Sequence, residues 1–138
     1  LRNHPMTFRF DPKAGLIVIS TRVWGAAGDV IVRLALDTGA THSLLHSHIL
    51  EVLGYAPSSA AEHIQITTGS GVETVPRLRI RKLHALGIER RSFRVVCHTL
   101  PPSASVDGLL GVDFFRLCRV SIDFATGTIR VRRSVGRR

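Results

Sequence analysis

The stretch from Val30 to Leu45, VIVRLALDTGATHSLL, carries the clearest pattern in the sequence. Its first half alternates between two faces, and the side chains of one face are all apolar: Val30, Val32, Leu34 and Leu36. An alternation with a period of two predicts a β-strand with one buried face. Because Asp37 follows directly, the sequence predicts a carboxylate held still at the end of a buried strand.

The turn after this strand is Asp37-Thr38-Gly39-Ala40. Gly39 lets the backbone turn sharply and approach a neighbouring segment closely, and the Thr38 hydroxyl can bond to backbone or to a partner chain. The same residues also fit an ordinary surface turn, because short motifs occur by chance. The motif alone therefore leaves a functional site and a plain turn open.

Two further segments accompany this turn. The apolar pair Leu109-Leu110 is followed by Gly111 and by a predicted short helix from Asp113 to about Cys118. Between the two, Thr67-Thr68-Gly69-Ser70-Gly71 predicts a flexible hairpin tip. With these three segments the chain, from Leu16 to Val131, resembles the retropepsin-like aspartic protease family, in its single-domain cellular and bacterial branch.

The resemblance implies a mostly-β fold, a closed β-barrel of the retropepsin-like acid protease type with one or two short helices, in a homodimer. Many short strands joined by turns favour a closed barrel independently. We predict strands over 16–23, 29–36, 64–68, 72–76, 78–83, 91–98, 120–124 and 128–132. A short helix is predicted from an N-cap at Ser47 to Leu53, with Gly54 ending it.

The resemblance also implies an aspartic endopeptidase, in which a water molecule is activated between two carboxylates about 3 Å apart. Two-lobed members of the fold carry two Asp-Thr-Gly segments, whereas this chain has one. The catalytic residue Asp37 would therefore be contributed twice, across the two-fold axis of a homodimer. Such a pair acts when it holds one proton, so we expect an acidic optimum, at about pH 4 to 6.

Roles for the surrounding residues follow from the same resemblance. Support of the active-site loop is expected from Thr38, Gly39, Ala40, Leu109, Leu110 and Gly111. A flap over an extended peptide substrate is expected from Thr68, Gly69, Ser70 and Gly71. The implied partners are a second copy of the chain, a peptide or protein substrate, and pepstatin-like or retroviral-protease-type inhibitors, with no cofactor, no metal ion and no nucleic acid.

The chain departs from the viral members of the family just after Gly111. Those members often have an arginine there, paired with an acid beyond the first motif, whereas Val112 and Asp113 follow here and His42 lies near the place of the acid. Support of the dimer is therefore expected to differ. Asp113 resembles the cellular and bacterial members, and we expect it to cap its helix.

Two other functions remain open at this point. One is a catalytically silent peptide-binding or dimerisation module on the same fold. The other is a basic nucleic-acid-binding domain, because the formal net charge is +9 and arginines cluster late in the chain: Arg130, Arg132, Arg133, Arg137 and Arg138. The intact motif favours the protease over the silent module, and the late segment has no aromatic residue after Phe124 to stack on bases.

Length and composition predict one globular domain over residues 1–138, with an irregular N-terminal arm at 1–14 and a basic tail at 134–138. Because the chain starts at Leu1, we expect a soluble domain excised from a longer protein, such as a membrane-anchored or cell-envelope bacterial protein. Cys97 and Cys118 are expected to pack as small apolar side chains. A metal site is disfavoured for the three neighbouring histidines, His42, His46 and His48, because no spaced ligand set accompanies them.

Overall fold

Short strands make up most of the structure, a computed structural model that describes residues 5–134. These residues form ten strands: β1 Met6–Arg9, β2 Val18–Gly25, β3 Gly28–Leu36, β4 Leu44–His46, β5 Glu62–Thr68, β6 Gly71–Ala85, β7 Ile88–His98, β8 Gly108–Leu110, β9 Cys118–Asp123 and β10 Thr128–Arg133. The α-helix α1 spans Ser47–Val52, and 3₁₀ turns span Pro57–Ser59 and Val112–Phe115. No helix of this part of the chain is long and apolar enough to cross a membrane.

Six of the strands close into a barrel. They are hydrogen-bonded in the order β2-β3-β8-β4-β7-β6, and β6 pairs again with β2, where Val23 lies opposite Leu83. β5 is added outside β6 as a hairpin partner. Neighbouring strands are antiparallel except for β3 with β8 and β4 with β7. The prediction of a mostly-β closed barrel with few helices is confirmed.

The alternation in β3 has the predicted consequence. Val32 and Leu34 are buried in the barrel, whereas Ile31 on the opposite face is 67% exposed. The core that they enter is continuous, and its fully buried side chains include Val23, Leu45, Leu50, Ile80, Leu83, Val95, Leu110, Phe114 and Ile129. Burial of this apolar surface is the main force that holds the end of β3 in place.

A second sheet, in the order β1-β10-β9, covers one end of the core. Ile129 and Val131 of β10 are buried in the same apolar cluster as the barrel residues. The N-terminal arm is therefore not irregular throughout, because Met6–Arg9 pair with Thr128–Val131. This pairing joins segments far apart in the sequence, which a local pattern does not reveal.

Two predicted helix starts are wrong. His46, not Ser47, is the N-cap of α1, because its Nδ1 accepts a hydrogen bond from the backbone amide of His48 at 3.0 Å. The helix ends at Val52, and Gly54 follows with a φ of 93°, a conformation that glycine adopts most easily. The predicted helix from Asp113 to Cys118 is a 3₁₀ turn over Val112–Phe115 that begins after Gly111.

The basic C-terminal segment can be followed only in part. Arg130, Arg132 and Arg133 lie on β10, and Ser134 follows as the last described residue. The remainder of the predicted basic tail, including Arg137 and Arg138, lies outside the described residues, as do residues 1–4 of the arm.

Candidate active site

Asp37 is the first residue after β3 and is half-buried. Its backbone amide donates a hydrogen bond to the carbonyl oxygen of Leu110 at 3.0 Å, and its own carbonyl oxygen accepts one from the Ala40 amide at 3.1 Å. One carboxylate oxygen accepts a hydrogen bond from the Gly39 amide at 2.9 Å. The carboxylate is therefore held against its own turn, with the backbone tied to a neighbouring strand.

Gly39 does not adopt the positive-φ conformation for which turns often need glycine. Its role depends instead on the lack of a side chain. A Cβ atom at this position would lie 3.2 Å from the Asp37 carboxylate, which is a tight contact. Glycine thus lets the amide of this residue approach the acid, in agreement with the close approach expected from the sequence.

β8 lies beside the turn because it pairs in parallel with β3, with Leu36 opposite Leu110. The next residue, Gly111, is buried, and a Cβ atom there would lie 2.7 Å from the carbonyl oxygen of Ala40. The Val112 amide donates to that same oxygen at 2.9 Å. The Leu109-Leu110-Gly111 segment therefore runs directly behind the Asp37 turn, and any side chain at Gly111 would push the two apart.

A network of polar groups connects the far end of the turn to the 3₁₀ segment. Ser43 is only 1% exposed, and its amide and hydroxyl both donate to the Asp113 carboxylate, at 3.0 and 2.7 Å. The Ser43 hydroxyl oxygen in turn accepts a hydrogen bond from the Gly111 amide at 3.0 Å. The expectation that Asp113 caps its own helix is wrong, because the 3₁₀ turn has no side-chain cap. The Asp113 carboxylate instead accepts hydrogen bonds from buried donors 70 positions earlier.

A cavity of about 360 Å³ lies next to this loop. One side is lined by the residues that follow Asp37, and the other by the hairpin strand β5 and the barrel: Gly39, Ala40, Thr41, His42, Leu44, Gln65, Ile66, Thr67, Val96 and Leu109. The cavity has both apolar and polar walls, a composition suited to a peptide. Asp37 and Thr38 are not among the lining residues, and Thr38 is exposed.

The β5–β6 hairpin carries the predicted flap residues at its tip. Thr68 lies opposite Gly71, whose φ of 121° suits glycine, and the Ser70 amide donates to the Thr68 hydroxyl at 3.2 Å. Gly69 and Ser70 form the turn and are exposed. The tip residues do not line the cavity; the strand residues before them do.

The three neighbouring histidines do not form a cluster around one point. His42 lines the cavity, whereas His46 caps α1. Residues 5–134 contain no group of three or more His, Cys, Asp or Glu side chains arranged to hold a metal ion. The two cysteines are free thiols, and burial, followed by the nearby charge of Glu51, raises the pKa of the Cys97 thiol.

Sequence reasoning missed several residues that the fold brings to this place. Ser43 and Asp113 were not paired, because their partnership depends on the pairing of β4 with β8, which no local pattern carries. The cavity-lining residues Gln65, Ile66 and Thr67 had a usable signal, since they belong to a recognised strand next to the predicted flap. Val96 had none, because it looks like any core valine of a strand.

Comparisons with known proteins agree with this geometry. A family model described as gag-polyprotein putative aspartyl protease matches residues 25–117. The crystal structure of a retropepsin-like aspartic protease from Rickettsia conorii is similar with a TM-score of 0.71 and 17% sequence identity, covering 94% of this chain and 91% of that chain. At this identity the likeness shows the fold. Comparison with curated proteins finds no match.

The matched residues of the family model begin at the end of β2 and reach the residue before β9. They include the Asp37 turn, the β5–β6 hairpin and the Leu109-Leu110-Gly111 segment, and they cover more than half of the chain. The chain therefore belongs to the retropepsin-like aspartic protease family.

Proposed function

We propose that the chain is an aspartic endopeptidase that acts as a homodimer, with Asp37 of each copy in one shared site. The observation that carries this proposal is the position of Asp37, which lies on a loop tied to β8 whose following residues, Gly39, Ala40, Thr41 and His42, line a cavity with room for a peptide. Membership of a protease family supports peptide hydrolysis as the general activity. The catalytic role of Asp37 and the dimer are parts of the proposal.

The dimer follows from the number of carboxylates that the reaction needs. Hydrolysis by this route uses one ionised and one protonated carboxyl group, because two like charges in contact cannot both ionise easily. The sequence has a single Asp-Thr-Gly segment. A two-fold axis passing beside Asp37 supplies the second carboxylate and makes the two turns face each other.

Each carboxyl group then has a defined task. The ionised one takes a proton from a water molecule as that water attacks the carbonyl carbon of the scissile peptide bond. The protonated one donates its proton to the carbonyl oxygen. When the tetrahedral intermediate collapses, the C–N bond breaks, a proton passes to the leaving nitrogen, and the pair is again left with one proton.

Substrate binding would use the β5–β6 hairpin. β5 pairs with β6 on one side, and no other strand of the described residues pairs with its outer side. An extended peptide can bond to such an edge as an added strand, with its side chains directed towards Ile66 and Thr67 on one wall of the cavity and Leu109 on another. The glycine-containing tip, Gly69-Ser70-Gly71, would allow the hairpin to close over the peptide.

The direct test replaces Asp37 with asparagine and keeps the shape of the side chain. Purified wild-type and Asp37→Asn proteins are incubated with a denatured protein at several pH values, with and without a pepstatin-like or retroviral-protease-type inhibitor. We expect cleavage by the wild type, inhibition by at least one of these compounds, and loss of cleavage in the variant. Asp11→Asn, at an exposed acid far from the cavity, is the matched control and should cleave normally.

Two results would contradict the proposal. Full activity of Asp37→Asn, with a circular dichroism spectrum like that of the wild type, would exclude Asp37 as the catalyst. Saturable binding of peptides by a wild-type protein that never cleaves them would instead indicate a silent peptide-binding module on this fold.

A further inference from the structure

Arginines form a row that continues from the wall of the candidate cavity. Across the β6–β7 pair, Arg77 lies opposite Val96, and Arg79 lies opposite Arg94. Val96 itself lines the cavity. Because side chains two positions apart on a strand share one face, Arg94 lies on the same face of β7 as Val96, about 7 Å further along. The row therefore starts at the cavity and leads away from it.

The row opens into a depression of about 320 Å³. Its lining contains six arginines and one acid, together with a serine and a phenylalanine: Arg77, Arg79, Arg90, Arg91, Arg94, Arg116, Asp113, Ser92 and Phe93. The single acid, Asp113, accepts hydrogen bonds from Ser43 and can offset only one of the six positive charges. The depression is thus a strongly positive pocket beside a cavity suited to a peptide.

Some of these arginines have structural partners. Arg90 donates to the carbonyl oxygens of Phe114 and Arg116, both at 2.7 Å, and Arg91 pairs with Glu89 at 2.8 Å. These contacts hold the rim of the depression in shape. They leave the row Arg77, Arg79 and Arg94, in which Arg79 donates to the carbonyl oxygen of Ser92 at 2.9 Å and no acid of the described residues lies closer than 3.5 Å.

The row has one acid near it, Glu62, at distances that are long for a charged hydrogen bond. Its carboxylate lies 3.5 Å from Arg77 and 3.7 Å from Arg94, whereas well-formed pairs have donor–acceptor distances of about 2.7–2.9 Å. The Nε atom of Arg77 is buried and has no hydrogen-bond partner within residues 5–134. Arg79 and Arg94 are exposed and can take a further acceptor, and a carboxylate fits the planar donor pattern of arginine.

We propose that the row Arg77, Arg79 and Arg94 binds an acidic side chain of the protein substrate, a few residues away from the peptide bond that is cleaved. This inference rests on the proposed function and names a substrate class for it: segments with aspartate or glutamate flanking the cleavage site. An extended peptide advances about 3.3 Å per residue, so a chain lying in the cavity reaches the row within a few residues. That continuity favours a peptide carboxylate over a nucleic acid, which would need a longer basic track.

The test compares pairs of peptides that differ in charge alone. Cleavage sites are first mapped in a digest of a denatured protein. One of these sequences is then synthesised as two fluorogenic peptides, which carry aspartate or asparagine at the third to fifth positions on each side of the cleaved bond. The kcat/KM of each peptide is measured for the wild type, for Arg79→Gln/Arg94→Gln, and for Arg79→Lys/Arg94→Lys. Arg119→Gln, at an exposed arginine on β9 away from the depression, is the matched control.

We expect the wild type to cleave the aspartate peptide about threefold to tenfold more efficiently than the asparagine peptide at low salt. This ratio should fall towards one in the glutamine variant, remain partly in the lysine variant, and be unchanged in Arg119→Gln. Raising the salt concentration should also lower the ratio, because screening weakens charge pairs at a half-exposed site.

Each contrary result has a distinct meaning. An equal kcat/KM for the two peptides, with cleavage intact, would overturn this inference alone. If the wild type cleaved neither peptide, nor the denatured protein, this result would overturn the proposed function and this inference with it. Stronger inhibition by a short oligonucleotide than by an acidic peptide, lost in the glutamine variant, would show a polyanion site instead of a substrate subsite.

Discussion

The carboxylate of Asp113 accepts hydrogen bonds from both the amide and the hydroxyl of Ser43, 70 positions earlier in the chain. Since the Ser43 hydroxyl also accepts from the Gly111 amide, one buried serine connects the strand after the Asp37 turn to the segment that runs behind that turn. No arginine takes part in this connection. These hydrogen bonds support the loop in a way that differs from the arginine–acid pair expected in viral members.

Removal of the Asp113 carboxylate should therefore loosen the active-site loop. We expect Asp113→Ala to lower the free energy of unfolding by about 1–3 kcal/mol, because the buried donors of Ser43 are left without an acceptor. We expect Asp113→Asn to cost less, since its amide oxygen still accepts. Urea unfolding gives the stability, and kcat should fall more than KM rises. Glu51→Gln, at an exposed acid of α1, is the control. Equal losses of stability and activity in Glu51→Gln and in Asp113→Ala would contradict a supporting role of Asp113 in the loop.

The contact between Gly111 and the Asp37 turn gives a second prediction. In Gly111→Ala the new Cβ would lie 2.7 Å from the Ala40 carbonyl oxygen and 2.9 Å from the backbone carbon of His42. We expect destabilisation of about 1–3 kcal/mol from this overpacking, with a strong loss of cleavage. Gly15→Ala is the matched control, because nothing lies within 4 Å of its Cβ position. A Gly111→Ala protein as stable and active as the control would show that the two segments are free to separate.

If each copy contributes one carboxylate, activity should depend on dimerisation. Specific activity should fall on dilution through the dimer dissociation constant, and sedimentation should follow the same concentration dependence. Mixing the wild type with a tenfold excess of Asp37→Asn should reduce the wild-type activity to about a tenth, because nearly all wild-type chains then pair with inactive ones. Activity that is independent of dilution and unaffected by the mixture would mean that one chain suffices.

The pH dependence of cleavage should show that two carboxyl groups share one proton. We expect kcat/KM on one short peptide to rise and then fall with pH, with an acidic optimum at about pH 4 to 6, because both the fully ionised and the fully protonated pair are inactive. Folding is checked by circular dichroism at every pH. An optimum well above neutrality, without loss on the alkaline side, is incompatible with a shared proton.

The two cysteines should differ in reactivity. Cys97 is only 4% exposed, and burial raises the pKa of its thiol, so the reactive thiolate is scarce in the folded protein. We expect iodoacetamide to modify Cys118 first and Cys97 only on unfolding, as read by mass spectrometry. Because the pKa of the Cys97 thiol is higher in the folded protein than in the unfolded protein, the protonated thiol stabilises the folded state. This contribution to stability is complete below the pKa of the unfolded thiol and is lost as the pH rises through the pKa of the folded one. Rapid labelling of Cys97 in native protein would contradict its burial.

Local patterns in the sequence were enough to predict the strand and the turn on which the candidate site lies. The alternation of Val32 and Leu34 with exposed residues predicted β3, and Asp37 follows its end as expected. The β9–β10 hairpin was also visible, because both strands and their turn lie within a short segment. These features depend on neighbours in the chain, whose relation to one another is already present in the order of the residues.

Other features depend on which strands become neighbours, and only the tertiary structure decided those. The pairing of β1 with β10 and the Ser43–Asp113 bonds both join segments separated by other elements. The His46 cap of α1 was missed for a related reason, since serine is the commoner cap and the strand β4 placed the histidine there instead. Local residue patterns predict most of the strands, but barrel closure, driven by burial of a shared core, determines which side chains meet.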